Sequence, residues 1–324
     1  MKKHLILFIN TLIITISLPF GEGQGGVFAQ QLPQHSQYYL NDYLMNPAIG
    51  GTRSCFEGRL NQRNQWTGGG GKQGINDAPR TFILSLNGAL KGKNMGLGGI
   101  VTNDVAGPVR QTGFNASYSY QVKVTETSKL SFGLSSGVKQ FVIDGAKLNA
   151  RDGGDIAVSN ATQSVIIADF NFGLHYYSDK YFVGASIPQI TENKLKLFVK
   201  SNDTKAKLET HYFVYGGYKF DINDNFKIQP MVLAKLVAPT PVQVDISTRF
   251  IYQEKIWLGG TYRVNDDIGS INIMLGINIK ENCIISYSYD LPNSSVNKYT
   301  LGSHEVMLGM NFCRKTSTAT PSLK

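Results

Sequence analysis

Few residues of this 324-residue sequence are spaced for chemistry. The run Gly68-Gly69-Gly70-Gly71-Lys72 suggests a loop whose backbone N–H groups could hold a phosphate. It lacks both the Gly-x4-Gly-Lys frame and the Ser or Thr that follows the lysine in such loops, so we interpret it as a flexible connection. His304-Glu305 has no second histidine at helical spacing, and it therefore does not predict a zinc protease.

Hydrolytic and metal chemistry are equally unsupported. No Gly-x-Ser-x-Gly nucleophile elbow accompanies the histidines that could serve as a general base, which are His35, His175, His211 and His304. The odd cysteine count of 3 rules out a dense disulfide framework, and the spacing of the cysteines is not that of metal ligands. We predict no catalytic residue, no cofactor, no metal site and no small-molecule substrate.

The segments that would position these residues alternate apolar and polar side chains. Around residues 255–290, apolar and polar side chains take turns along three successive segments, and the middle one places Ile271, Ile273, Leu275, Ile277 and Ile279 on one face. Successive side chains of a strand point to opposite faces, so each segment predicts a strand with one apolar and one polar side. A soluble β-sandwich and a membrane β-barrel both give this pattern.

The lengths of the connections favour the barrel. Six connections are short: Lys91–Asn94, Thr125–Lys129, Asp179-Lys180, Asn223–Asn225, Gln253–Lys255 and Lys280–Asn282. Those between them are mostly longer: Thr67–Pro79, Asp104–Gln111, Asp144–Ser164, Gln189–Lys207, Pro239–Pro241, Asn265–Ile268 and Leu291–Ser303. Outer-membrane barrels have short periplasmic turns and longer outer loops. We predict an all-β fold, a closed antiparallel transmembrane β-barrel of about 14 strands with both termini in the periplasm.

The ends of the chain predict export. Two lysines, the apolar run Leu5–Phe20 and the small-residue site Val27-Phe28-Ala29 together indicate a signal peptide over residues 1–29. We assign residues 30–54 to an N-terminal segment, periplasmic or lumenal, residues 55–314 to the barrel and residues 315–324 to a polar tail. The predicted location is the cell outer membrane, in contact with its lipid.

The net charge of +9 is scattered, without the basic stripe of a nucleic-acid-binding protein, so no nucleic-acid partner is expected. Strand alternation predicts that several charged side chains face the lumen, where they either pair with one another or select cargo. These are Glu57, Arg59, Arg63, Lys219, Lys235, Asp245, Arg249 and Arg263.

Barrel closure also predicts a disulfide. Cys55 immediately precedes the first strand and Cys313 ends the last one, so the two meet at the periplasmic rim, both on the inward face. Directly opposed residues of antiparallel strands have Cβ atoms ~4.5–5.5 Å apart, close to the span of a disulfide. Cys283 starts another strand at that rim, with its side chain toward lipid. The alternative is three unpaired thiols.

Several motifs resemble one family. They are Gln34–Tyr38, Met45–Ala48, Arg63–Trp66, Asn103–Gly107, Ser131–Leu134, Gly216–Tyr218, Tyr287–Asp290 and Gly302–Leu308. Over essentially the whole mature chain the sequence resembles the PorP/SprF family of type IX secretion membrane proteins of Bacteroidetes. The residues that carry the resemblance most specifically are Asn46, Pro47, Arg63, Trp66, Gly302, Ser303, His304 and Glu305.

The resemblance implies a non-enzymatic outer-membrane barrel of type IX secretion. Its implied partners are other secretion components and exported surface proteins such as gliding adhesins, whose secretion or surface retention it would support. One alternative is a FadL-like transporter of hydrophobic small molecules, which would need a hatch across the lumen. Residues 30–52 are short for that role. A secreted soluble adhesin is the other alternative.

Overall fold

The computed structural model describes residues 32–68, 74, 77–147, 161–192, 208–238, 240–264, 269–279, 282–293 and 295–313. The predicted signal peptide, most of the Gly68–Lys72 run and the polar tail lie outside these residues. Within the described ranges, no helix is long and apolar enough to cross a membrane.

The described residues form fifteen strand segments. They are β1 (Phe56–Thr67), β2 (Arg80–Ala89), β3 (Met95–Ala106), β4 (Val109–Lys123), β5 (Ser128–Ile143), β6 (Gln163–Ser178), β7 (Tyr181–Ile187), β8 (His211–Tyr218), β9 (Phe220–Asp221), β10 (Phe226–Val237), β11 (Gln243–Tyr252), β12 (Ile256–Val264), β13 (Ser270–Ile279), β14 (Cys283–Pro292) and β15 (Gly302–Phe312). Short 3-10 turns occur at Asp42–Leu44, Pro47–Ile49, Gly145–Lys147 and Ser295–Lys298.

The sheet closes on itself. Every pairing is antiparallel, and all but the β8–β10 and β1–β15 pairs join segments that are neighbours in sequence. The β1–β15 and β10–β11 pairings complete the ring. Both β8 and β9 pair with β10, on either side of Lys219, so they occupy one position in the wall. The fold is therefore a closed antiparallel barrel of 14 strands, as the alternation and the connections predicted.

Alternation gives the wall its two faces. In β13 the outward Leu275 is 56% exposed, whereas the inward Met274 is 0% exposed. Outward positions across the barrel are mainly Ile, Leu, Val, Phe and Tyr, and buried inward positions are mainly Ser, Asn, Thr and charged residues. This is the pattern of an outer-membrane barrel, whose lipid-facing belt is apolar and whose interior is polar.

The connections separate the barrel into two ends, which we call the short-turn rim and the long-loop rim. One predicted long loop is wrong: β3 and β4 continue past Asp104 and Gln111, and only Gly107-Pro108 joins them. Gly107 adopts a φ of +58°, which glycine reaches without steric cost, so the two strands can turn in two residues.

The N-terminal segment lies inside the barrel. Gln34 contacts Gln243, at the long-loop end of β11. Gly51 accepts a hydrogen bond from Gln121, at the short-turn end of β4. The segment therefore descends through the lumen before β1 rises again, and we call residues 34–51 the plug. Gln34 lies near the long-loop rim. The two termini, for which we predict a periplasmic location, lie outside the described residues.

Candidate functional site

The upper plug is fixed to the last two strands. The backbone N–H of Ser36 donates to Glu305 Oε2 (2.9 Å) and its hydroxyl donates to Asp290 Oδ2 (2.6 Å). Arg63 donates to both sides of the contact, through Nη1 to Ser36 Oγ (3.0 Å) and through Nη2 to Asp290 Oδ2 (2.6 Å). All four side chains are at most 4% exposed. Charge-assisted hydrogen bonds in such surroundings are stronger than neutral ones.

Six lumenal side chains of alternating charge form a continuous ion-pair network, which we call the charge chain. Its order is Glu305, Arg63, Asp290, Arg263, Asp245 and Lys235, with successive N···O distances of 3.3, 2.6, 3.8, 3.1 and 3.5 Å. Three cations face three anions, so each buried charge has a partner of opposite sign, without which burial would be costly. At its far end, Lys235 Nζ donates to Gln34 Oε1 (3.2 Å). The plug thus touches both ends of the chain.

The middle of the plug places aromatic and amide groups against inward hydroxyls. Tyr38 OH lies 2.6 Å from Ser247 Oγ, and Tyr43 OH lies 2.5 Å from Ser117 Oγ. Asn41 Nδ2 donates to Asn61 Oδ1 (2.9 Å). Tyr38 and Tyr43 are 2% and 1% exposed, so their phenol groups bury large apolar area and still satisfy their hydroxyls.

The Asn46-Pro47-Ala48 turn packs where the wall has no side chains. Asn46 Oδ1 accepts from the backbone N–H of Ala48 (2.8 Å), which caps a 3-10 turn that starts at Pro47. Its Nδ2 donates to the carbonyls of Leu174 (2.8 Å) and Ala185 (3.1 Å). A Cβ at Gly173 would lie 1.8 Å from Asn46 Oδ1, and a Cβ at Gly133 would lie 2.1 Å from the nitrogen of Ala48. Glycine at these two wall positions is what admits the turn.

A second charged group lies at the base of the plug. Arg53 pairs with Asp42 and with Glu57 (2.7 Å), and Glu57 pairs in turn with Arg59 (2.9 Å). Arg59 Nε also donates to the carbonyl of Leu40 (3.2 Å). The carboxylate of Asp42 is the main cause that raises the pKa of Arg53, so this cation stays charged. The base is thus tied to β1 at the short-turn rim.

Cys55 and Cys313 meet at this rim. Their Sγ atoms are bonded and their Cα atoms are 4.3 Å apart. The adjacent residues along the two strands, Phe56 and Phe312, are register partners. Cys283 is a free thiol, on the outward side with Ile285.

The family-motif residues at the long-loop end of β1 and β15 also converge. The pairing shifts register between Asn64 and Thr67, and Trp66 at this bulge has a φ of +51°. The backbone N–H of Trp66 donates to Ser303 Oγ (3.2 Å), and Thr67 Oγ1 donates to the carbonyl of Gly302 (3.2 Å). His304 faces outward instead, with Nδ1 2.6 Å from Tyr287 OH.

Two predicted lumenal charges, Arg249 and Lys219, lie outside both the charge chain and the charged group at the base of the plug. Arg249 is half-buried, donates to Gln229 Oε1 (2.7 Å) and lies over the Trp257 ring, 5.8 Å from its centroid. Lys219 interrupts the strand between β8 and β9, where its backbone N–H donates to the carbonyl of Lys180 (2.7 Å). Arg249 and Lys219 therefore contact neighbours different from those of the charge chain.

Two of the described histidines contact neighbouring groups of the protein. His175 Nδ1 lies 3.0 Å from Tyr215 OH, and His211 Nδ1 lies 2.9 Å from the carbonyl of Glu209. Among the described residues, no three His, Cys, Asp or Glu side chains are grouped to hold a metal ion.

Burial controls the protonation of the plug. It raises the pKa of Tyr43 to about 12, so this phenol remains a neutral hydrogen-bonding group. Burial, together with the nearby Arg63, Lys235 and Arg263, lowers the pKa of His35 to about 3. His35 is therefore neutral at pH 7, next to the three cations of the charge chain.

A closed barrel with an apolar outer belt and a lumen filled by its own N-terminal segment is a plugged outer-membrane β-barrel. The model of the family "Type IX secretion system membrane protein PorP/SprF" matches residues 27–310. The chain belongs to this family, which is a family of secretion-system membrane proteins and not of enzymes.

The chain is similar to solved structures of low sequence identity. The Ralstonia pickettii toluene transporter TbuX is 10% identical, with a TM-score of 0.50, over 83% of this chain and 92% of that one. A Pseudomonas aeruginosa FadL homologue is also 10% identical, with a TM-score of 0.44, over 83% and 92% of the two chains. At such identity the TbuX likeness shows the fold alone, and the FadL homologue carries no further argument. No curated protein matches the sequence.

Sequence reasoning missed the contacts of the plug. It placed Arg63 on the inward face but did not connect it to Ser36 or Asp290, because these partners are 27 and 227 positions away. It judged residues 30–52 short for a hatch that occludes the lumen, yet residues 34–51 run from one rim of the barrel to the other. Alternation did place Asp290 on the polar face of its strand, and this was the available signal for the charge chain.

Proposed function

We propose that this barrel binds machinery subunits or exported surface proteins of the type IX system, such as gliding adhesin-like cargo. In this proposal it supports their secretion or surface retention and does not act as an open pore. Membership of the PorP/SprF family supports the link to secretion. The observation that favours a binding role over diffusion is the plug, which is hydrogen-bonded to β1, β2, β4, β5, β7, β11, β14 and β15.

Opening the lumen would be costly. Withdrawal of the plug would remove Ser36 from two carboxylates, Asn46 from two wall carbonyls and Tyr38 from its hydroxyl partner. Each buried polar group left unsatisfied costs ~1–3 kcal/mol, and more where the group is charged. A barrel sealed in this way offers its loops and rims to partners and leaves little path for solutes.

A deletion strain tests the proposal. We expect deletion to remove particular exported proteins from the cell surface, measured by mass spectrometry of peptides released from intact cells by protease. Uptake of a small chromogenic β-lactam should be unchanged, and a plasmid copy of the gene should restore display. Normal surface display in the deletion strain would contradict the proposal.

The alternative is a FadL-like transporter of hydrophobic small molecules, exported by the same signal peptide. The observation that favours it is that the plug, although short, does cross the lumen and borders a cavity with apolar lining. In that case, deletion would slow uptake of fatty acids or aromatic hydrocarbons and leave surface display intact.

A further inference from the structure

A cavity of about 150 Å³ lies beside the plug on the β2–β8 side of the lumen. Its apolar lining comes from both the plug and the wall: Leu44, Met45, Pro47, Ile83, Ile100 and Phe213. An apolar cavity of ~150 Å³ accommodates a benzene ring. The size therefore fits one aromatic ring or one branched aliphatic side chain.

The polar lining of the cavity includes two buried acceptor oxygens that have no hydrogen-bond partner. Asp169 is 2% exposed, and its Oδ2 pairs with Lys139 Nζ (3.2 Å) and accepts from Asn115 Nδ2 (2.8 Å). The second oxygen of this carboxylate, Oδ1, is buried without a hydrogen-bond partner, and so is Oδ1 of Asn115. Buried acceptors of this kind call for a donor.

The charges of the lining also favour a ligand that donates hydrogen bonds. Asp104 and Asp169 both line the cavity, against one cation, Lys139. Asp104 accepts a hydrogen bond from Thr81 Oγ1 (2.5 Å). Of the two carboxylates, Asp169 is the one with a buried oxygen that has no hydrogen-bond partner. An incoming ammonium or amide N–H would satisfy this oxygen, whereas a carboxylate would meet two anions.

We propose that this cavity binds a ligand with an apolar body of about one ring and an amine or amide head that donates to Asp169 and Asn115. The same chemistry is available from a free small amine and from a side chain or backbone N–H of an exported polypeptide. The second source rests on the proposed function and would make the cavity a recognition site for cargo.

The binding test uses the purified barrel in lipid nanodiscs at pH 7, with benzylamine, toluene and benzoate as probes and empty nanodiscs as a blank. Saturation-transfer NMR should detect benzylamine on the barrel, weaker transfer to toluene and none to benzoate. Asp169→Asn should weaken benzylamine binding at least tenfold. Benzylamine binding that matches the blank, or equal binding by the Asp169→Asn variant, would overturn the proposal.

A second variant keeps the test valid if Asp169→Asn fails to fold. Ile100→Trp fills the cavity from its apolar side and should abolish benzylamine binding. Its matched control is Val101→Trp, one residue along β3, where the side chain faces lipid and is 39% exposed in the native chain. Both variants must retain the heat-sensitive gel mobility of a folded barrel. Equal binding by the Ile100→Trp variant and its control would overturn the proposal.

A photo-crosslinker in living cells distinguishes the two sources. Placed at Thr102, which lines the cavity, it should capture an exported polypeptide if cargo is the ligand, and Val101 should capture none. Without a protein adduct at Thr102, benzylamine binding assigns the site to a free amine. The probe assay contains no secretion component, so its failure would leave the proposed function standing. Normal surface display in the deletion strain would overturn that function and not the binding result.

Discussion

The disulfide between Cys55 and Cys313 is open to a direct test by replacing both residues with serine. The bridge joins the start of β1 to the end of β15, across a sequence separation of 258 residues. We expect the double variant to fold, because β1 and β15 pair along most of their length without it. We also expect it to unfold at a lower urea concentration than the native barrel.

The size of the effect follows from the separation. Closing a loop of 258 residues in the unfolded chain corresponds to ~5–6 kcal/mol in the chain-entropy model. Measured losses on removal of native disulfides are typically ~2–5 kcal/mol. We expect a loss in this measured range, since an unfolded barrel in contact with lipid is more restricted than a free chain in water.

Urea unfolding in lipid vesicles, followed by tryptophan fluorescence, measures the loss. Trp66 and Trp257 report from opposite ends of the barrel wall, since one ends β1 and the other begins β12. The matched control is Cys283→Ser, which removes the free thiol and should leave the midpoint unchanged. Mass spectrometry without reductant should find the peptides of Cys55 and Cys313 joined.

Two results would refute this reasoning. Free thiols at all three cysteines in protein purified from an oxidising periplasm would show that the seam lacks the bridge. Equal urea midpoints for the double variant and the Cys283→Ser control would show that the bridge, if formed, does not restrain the unfolded chain.

Three further perturbations test the faces, the charge chain and the plug. The Leu275→Lys variant places a cation on the lipid face and should lower the free energy of unfolding, measured in lipid vesicles, by ~2–4 kcal/mol. The Asn278→Lys variant, at an inward position, should lower it only slightly. Equal losses in the two variants would contradict the assigned faces. The Arg63→Met variant leaves two buried carboxylates without their cation, so the free energy of unfolding should fall by ~3–5 kcal/mol and amide hydrogen exchange in the plug should become faster. The control is Arg249→Met. Exchange in the plug of Arg63→Met that is no faster than in this control would contradict the anchoring role of Arg63. His35 stays neutral when folded but takes up a proton when unfolded below its ordinary pKa of 6.5. Stability should therefore fall as pH drops from 6.5 toward 3, by up to about 3 kcal/mol at pH 4.5. The His35→Gln variant should lose less stability over this range, and equal losses would contradict the assignment.

The strands of the barrel wall and their two faces could be predicted from the sequence, because the alternation of apolar and polar residues that defines them is local. A period of two assigns each side chain to a face within a few residues, so Leu275 and Met274 received opposite environments from sequence alone. The connections were less certain, since the number of residues between strands depends on where pairing ends. At Gly107-Pro108 the breaker residues suggested a loop, yet they form only the turn of a long hairpin.

The position of the plug could not be predicted, because the contacts that fix it are made with residues distant in sequence. Residues 34–51 have neither strand nor helix period, and their partners lie on strands throughout the barrel. Asn46, for example, depends on carbonyls 128 and 139 positions away and on the absence of a side chain at Gly173. The family resemblance marked Asn46, Arg63 and Glu305 as related, but only the folded wall shows that Arg63 and Glu305 hold the segment that contains Asn46.

The contact of Ser36 with Asp290 and Glu305 also sets an order of assembly. The plug is synthesised and exported first, yet its anchors are on the last two strands, 254 and 269 positions later. It cannot seat until β14 and β15 have paired, and a one-residue slip of β15 would turn Glu305 out toward lipid. The fully seated plug therefore requires a barrel whose final strand has closed in the correct register.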